Sequence, residues 1–172
     1  MKTARWLLPF TCGVDMQAID AVVRLAEEGD ATLVAVSLVS TQDPSGSKGV
    51  RLEHLQQSKD FLEAVKWKAL RLGVPLEERE VYTVDVMQSM TTLVQELCCD
   101  ALVLVSRSER EVLLRRSQLK RLFECPPTRL LMLRLAAQVE HVPAGHPGTR
   151  ILTWLAGTPR TREKQFSKRK PI

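Results

Sequence analysis

Apolar positions along the chain fall into two kinds of stretch that take turns. Arg5 to Phe10 (RWLLPF) is a short apolar run ending at a Thr-Cys-Gly turn, the pattern of a strand buried on both faces. Asp15 then stands where a helix N-cap belongs, and Ile19, Val22, Val23 and Ala26 repeat at three and four residues up to Glu28, with Gly29 as a stop. Ala31 to Ser40 (ATLVAVSLVS) is continuous and β-branched, a second interior strand, followed by a loop of turn-forming residues. From Val50 to Leu72 the pattern is helical again, with Leu55, Leu62, Val65, Ala69 and Leu72 on one side and charged or amide residues between them. Val74 to Val84 (VPLEEREVYTV) is the least apolar strand candidate, which places it nearer an edge or with one wet face. Val86 to Cys99 reads as a helix, Ala101 to Val105 (ALVLV) as a buried strand, and Glu109 to Phe123 as a basic helix that Pro126 and Pro127 forbid from continuing. Thr128 to Leu135 (TRLLMLRL) is the last strand.

Strand and helix in strict alternation predict an α/β fold with an open, mainly parallel five-stranded sheet and helices on both faces. Ligands of such sheets lie beyond the carboxyl ends of the strands, which directs attention to Phe10–Gly13, Val39–Thr41, Thr83–Asp85 and Val105–Ser108. The pattern assigns residues 1–136 to this domain, 137–157 to an arm and 158–172 to a tail.

Composition narrows the classes. A chain of 172 residues with 44% apolar and 26% charged residues is an ordinary globular protein of one domain plus a tail. No apolar run approaches the roughly 20 residues that cross a bilayer. The N-terminal stretch does not read as a secretory leader, because Pro9 interrupts it and Asp15 closes it, so a cytoplasmic location is expected. Cys12, Cys98, Cys99 and Cys125 show no C-x-x-C spacing, and His54, His141 and His146 are not spaced with them as zinc ligands, so no metal is expected. Cys98 and Cys99 are adjacent and at least one should face the core; buried small hydrophobes are the plain reading, a thiol sensor the other. Trp6, Trp67 and Trp154 are read as packing residues. The net charge of +5 sits in the last stretch, where Arg160, Arg162, Lys164, Lys168, Arg169 and Lys170 face Glu163 alone, leaving the rest neutral. That stretch is expected to be disordered alone, a solubilising tail or a contact for nucleic acid or an anionic membrane.

Over residues 4 to 136 the order and turns resemble the universal stress protein family. The resemblance rests on LLPF with Thr-Cys-Gly after it, on GDATLVAVSLV, on ELCCDALVLVS and on CPPTRLLMLRL, with Asp100 in the place of the acid before the fourth strand and Cys125-Pro126 at the lead into the fifth. It implies a Rossmann-like three-layer sandwich, and a homodimer through the last strand, with Leu130, Leu131, Met132 and Leu133 at the interface. Members that hold ATP use G-x-x-G, about nine residues, then Gly-Ser or Gly-Thr, because glycines let the backbone approach phosphate. Here Val105 and Ser108 take the first two glycine positions, Arg116, Ser117 and Gln118 stand near the distal one, and Thr11 replaces the acid after the first strand's proline. Pro9, Phe10, Thr11, Val105, Ser106, Arg107, Ser108 and Ser117 are therefore positional equivalents of a nucleotide site without its standard grip. Arg107, Arg110, Arg115 and Arg116 read as a solvated helix face that could also pair with phosphates.

No Ser-His-Asp order is visible, and no catalytic residue is assigned. The expected function is a non-enzymatic stress-response or regulatory module that acts by protein–protein interaction with an unknown partner, without a cofactor. The alternatives are an ATP- or AMP-binding or hydrolysing member with an unusual phosphate loop, and a regulator of a membrane transporter.

Overall fold

Strand and helix alternate through nine elements in the computed structural model, which describes residues 3–41, 49–107 and 111–136. They are β1 Ala4–Phe10, α1 Met16–Glu28, β2 Ala31–Ser40, α2 Leu52–Leu72, β3 Leu76–Thr83, α3 Val86–Glu96, β4 Ala101–Arg107, α4 Arg116–Glu124 and β5 Arg129–Leu135. The strands form one sheet in the order β3-β2-β1-β4-β5, every pair parallel. Contacts divide the chain into Met1–Ala137 and Gln138–Ile172. The arm and the basic tail read from the sequence lie outside the described residues.

The apolar runs of β1, β2 and β4 become the buried centre, because a strand covered on both faces has no wet side to fill with polar residues. On one face Leu8, Phe10, Leu33, Val103 and Val105 pack under α1 and α2, with the Phe10 and Phe61 rings stacked at 4.4 Å between centroids. On the other face Leu7, Val34, Val36, Leu102 and Leu104 meet Met90 and Val94 of α3 and Leu122 of α4. The polar β3 is an edge strand, as its composition requires. At the amino ends of the strands, Arg5 grips Glu77 in a two-pronged ion pair of 2.7 and 2.9 Å, and its backbone N–H donates to Asp100 at 2.8 Å. Asp100 thus has a mechanical task in fastening β1 beside β4.

Two helix boundaries differ from the sequence reading by three residues or more. The third helix ends at Glu96 rather than Cys99: Leu97 caps it, Cys98 turns left-handed at φ 49°, and Cys99 is thereby swung into the core while Cys98 stays exposed. The fourth helix begins at Arg116 rather than Glu109, and β4 runs on to Arg107. The cause is Val112-Leu113-Leu114, three consecutive residues that are all buried, which one face of a helix cannot achieve.

Candidate functional site

The strand order reverses between β1 and β4, the place where open α/β sheets form a crevice at their carboxyl ends. Two helix N-termini flank that crevice, and local sequence sets both. Asp15 caps α1, its Oδ1 accepting from the N–H groups of Gln17 and Ala18 at 2.9 and 3.0 Å. Gln118, in the first turn of α4, reaches back so that its Oε1 accepts from the Arg115 N–H at 3.0 Å and from the Thr11 hydroxyl at 2.7 Å.

The segment before α4 closes the space between them. The Leu113 carbonyl accepts from the N–H of Thr11 at 2.7 Å and of Cys12 at 3.3 Å, and the Leu113 N–H donates to Gly13 at 3.1 Å, a short antiparallel bridge onto the end of β1. Gly13 makes this approach possible: its φ is 69°, and an added Cβ would stand 2.5 Å from the Glu111 carbonyl oxygen. Leu113 is itself left-handed at φ 60° while its side chain is fully buried. Glu111 then turns its carboxylate to the first N–H of α4, accepting from Arg116 at 3.1 Å. An N-terminus that would attract an anion is occupied by the chain's own carboxylate and amide oxygens.

A cleft of about 80 Å³ lies here, lined by Phe10, Thr11, Ser37 to Ser40, His54, Val86, Arg115 and Gln118, and a more open groove of about 370 Å³ adjoins it through Val86, Arg115 and Gln118. Burial pushes the Cys12 thiol beside this cleft up from its ordinary value, against the opposing pull of the Thr11 hydroxyl and Arg115. The cleft gathers hydroxyls, an amide, an imidazole and a guanidinium, with the Thr11 hydroxyl donating to Gln118.

The positions singled out from the sequence are scattered by this arrangement. Pro9 and Phe10 end β1, and Phe10 and Thr11 line the cleft. Val105 points into the core under α1 and α2, so the crevice is filled by Val112–Leu114 and not by Val105. Ser106 is half-buried on the opposite face, Ser117 lies on the exposed start of α4 beside a shallower groove, and Ser108 lies outside the described residues. Arg107 is a correction: it belongs neither to a helix nor to a solvated face. Its side chain is 4% exposed, pairs with Asp15 at 3.3 Å and donates to Gln17 at 2.8 Å, which leaves its Nε without a partner. Its β-strand position gives the reason, since the side chain follows Val103 and Val105 onto the covered face. Ser37 and His54 escape the sequence reading as site residues, and Gln118 enters it only as a neighbour of the missing distal glycine. A lone serine inside the apolar run of β2 is the available signal for Ser37; nothing local marks His54.

No protein-family model matches the chain, and no curated protein matches it in sequence. Solved structures do. A universal stress protein family member from Burkholderia pseudomallei superposes with a TM-score of 0.55 at 22% identity, over 74% of this chain and 94% of that one. A universal stress protein from Lactobacillus plantarum gives 0.54 at 16% over 78% and 99%. A universal stress protein in complex with cAMP gives 0.53 at 17% over 77% and 98%. The chain has the universal stress protein fold. Among the described residues no helix is long and apolar enough to cross a membrane and no cluster of His, Cys, Asp and Glu is arranged to hold a metal ion.

Proposed function

We propose that this chain is a regulatory module on the universal stress protein fold that works in the cytoplasm without catalysis or nucleotide, by binding other protein chains. The observation that carries this reading is the occupation of the α4 N-terminus by Glu111 and Gln118, with Leu113 filling the crevice beside it. A phosphate would have to displace a carboxylate and an apolar plug at once. The accompanying contact is a homodimer through β5, supported by the contrast between the edges of the sheet. The β3 edge presents Glu78, Arg79 and Glu80, charges that discourage strand pairing, whereas β5 presents Leu131, Met132 and Leu133. Alternation along β5 places Leu131, Leu133 and Leu135 against one core face and Leu130 against the other, with Met132 42% exposed.

The test is a thermal melt of the purified protein with millimolar ATP, AMP or cAMP. A ligand at a hundred times its dissociation constant adds about 2.7 kcal/mol to stability. No shift is expected with any of the three, and a clear shift refutes the closed-cleft reading. Met132→Lys puts a charge on the free edge, so a wild-type dimer seen at low micromolar concentration should become monomeric in light scattering at that same concentration. Nucleotide binding is the second reading, favoured by the fold neighbours in complex with cAMP and, from Archaeoglobus fulgidus, with dAMP. It requires Glu111–Leu114 to swing out of the crevice.

A further inference from the structure

We propose that the solvent face of α2 is a self-association surface that receives α2 of a second copy of this chain, antiparallel and about a two-fold axis. This inference depends on neither the closed cleft nor the β5 edge. The exposed stripe of α2 consists of Leu52, Gln56, Lys59, Glu63, Lys66 and Leu70, spaced alternately four and three residues apart. That is the seam spacing of helices that pair along their length. Every one of the six is exposed, Leu52 at 81% and Leu70 at 75%. Trp67, which the sequence alone reads as a packing residue, is 62% exposed beside Leu70, and a groove of about 500 Å³ opens along Lys66, Trp67 and Leu70.

The stripe is symmetric about Phe61. Leu52 and Leu70 each lie nine residues from it and Lys59 and Glu63 each two, with opposite charges at the mirrored positions. Laid antiparallel on itself, the helix brings Leu52 to Leu70 of the second copy and Lys59 to Glu63 of the second copy, and symmetry repeats both contacts. The two leucines stand about 27 Å apart along the axis at 1.5 Å rise per residue, so a small molecule cannot cover both, while another helix can. The central charges choose among helices. Neither Lys59 nor Glu63 makes an ion pair or hydrogen bond with the described residues, whereas Lys66 reaches Glu78 at 3.5 Å. An apolar partner helix would desolvate both charges and offer neither a partner; a second α2 offers each an opposite charge across the contact. Because α2 packs over β2 and β3, at the opposite end of the sheet from β5, the contact leaves the β5 edge open.

Sedimentation equilibrium between about 10 and 500 μM reads the contact, a range set by the small area of a single helix pair. All variants carry Met132→Lys so that pairing through β5 is removed, and comparison of that background with the wild type reports on β5 separately. The background should form a concentration-dependent dimer. Lys59→Glu alone sets carboxylate against carboxylate at both symmetry-related contacts, and Glu63→Lys alone sets ammonium against ammonium at both. Each should weaken the dimer about tenfold or more while leaving the melt unchanged, since both sites are exposed. An equimolar mixture of the two variants pairs opposite charges at both contacts and should recover the dimer, as should the chain carrying both substitutions. A monomeric background at the highest concentration overturns the proposal. So does a mixture that associates no better than its components.

Discussion

Leu113 combines full burial with a left-handed backbone, and the two properties predict opposite responses to shortening its side chain. Leu113→Ala removes a leucine that is 1% exposed and costs about 2.7–5 kcal/mol for the lost burial and the cavity left behind. Going on to glycine ordinarily costs about 0.5–1 kcal/mol more, because glycine has more backbone freedom to lose. At φ 60°, however, any residue with a Cβ is strained by about 1–2 kcal/mol that glycine escapes. Leu113→Gly is therefore expected to be as stable as Leu113→Ala or up to about 1.5 kcal/mol more stable. Leu104, also fully buried but within β4, supplies the reference: there glycine should be the worse of the two by about 0.5–1 kcal/mol. Urea denaturation of the four variants reads the comparison directly, and in melts each kcal/mol corresponds to about 2–4 °C for a chain of this size. If glycine falls below alanine at position 113 by as much as at position 104, the backbone there carries no strain and the plug is held by packing alone.

Asp15→Asn keeps an oxygen to cap α1 but strands the buried Arg107 charge, so a loss of about 3 kcal/mol is expected, and Asp15→Ala should add about 1 kcal/mol for the missing cap. Gly13→Ala meets both a positive φ and the Glu111 carbonyl, and should destabilise by more than 1–2 kcal/mol, roughly the left-handed strain alone. The Arg5 guanidinium holds the Glu77 carboxyl below its ordinary value, and Lys68 with Arg24 does the same for Asp20. A depressed carboxyl contributes stability above its unfolded value and loses it as pH falls through the folded one, so melts should drop on acidification through and below the usual carboxylate range. Glu77→Gln should flatten that drop; an unchanged pH profile would contradict the role given to the Arg5 pair.

Periodicity carries most of the fold, because the apolar runs of β1, β2 and β4 and the heptad-like faces of α1 and α2 each state which side is buried. The polar β3 declares itself an edge. Reading fails where burial and period disagree: Glu109 to Phe123 scans as a basic helix only if Val112, Leu113 and Leu114 are spread around it, and the chain instead buries all three in a bridge to Cys12. Arg107 is misplaced by the sequence pattern for a related reason. Counted with a helix it looks solvated, and counted as the last residue of a strand it must follow Val103 and Val105 inward. The cleft is legible as a location, from strand ends, helix starts and the place of Gln118 near the distal glycine position, but not in its full lining, since His54 comes to it from α2 through tertiary packing that leaves no mark in local sequence.

The way the α4 N-terminus is satisfied bears on how such a module could be switched. In a phosphate-binding loop, backbone N–H groups and the helix dipole are fully met only when the ligand is present, and loop order then reports occupancy. Here Glu111 and Gln118 meet the N–H groups of Arg116 and Arg115, and the Leu113 carbonyl meets those of Thr11 and Cys12, all without a ligand. A nucleotide phosphate would compete with these contacts rather than complete them, which reduces the differential free energy that occupancy could exert on the loop. If the chain signals without nucleotide, as proposed, the signal enters through surfaces whose burial changes with association. The β5 edge and the outer stripe of α2 lie at opposite ends of the sheet, so two different self-contacts could be made at once, and their joint use would extend a dimer into a larger assembly whose size follows concentration.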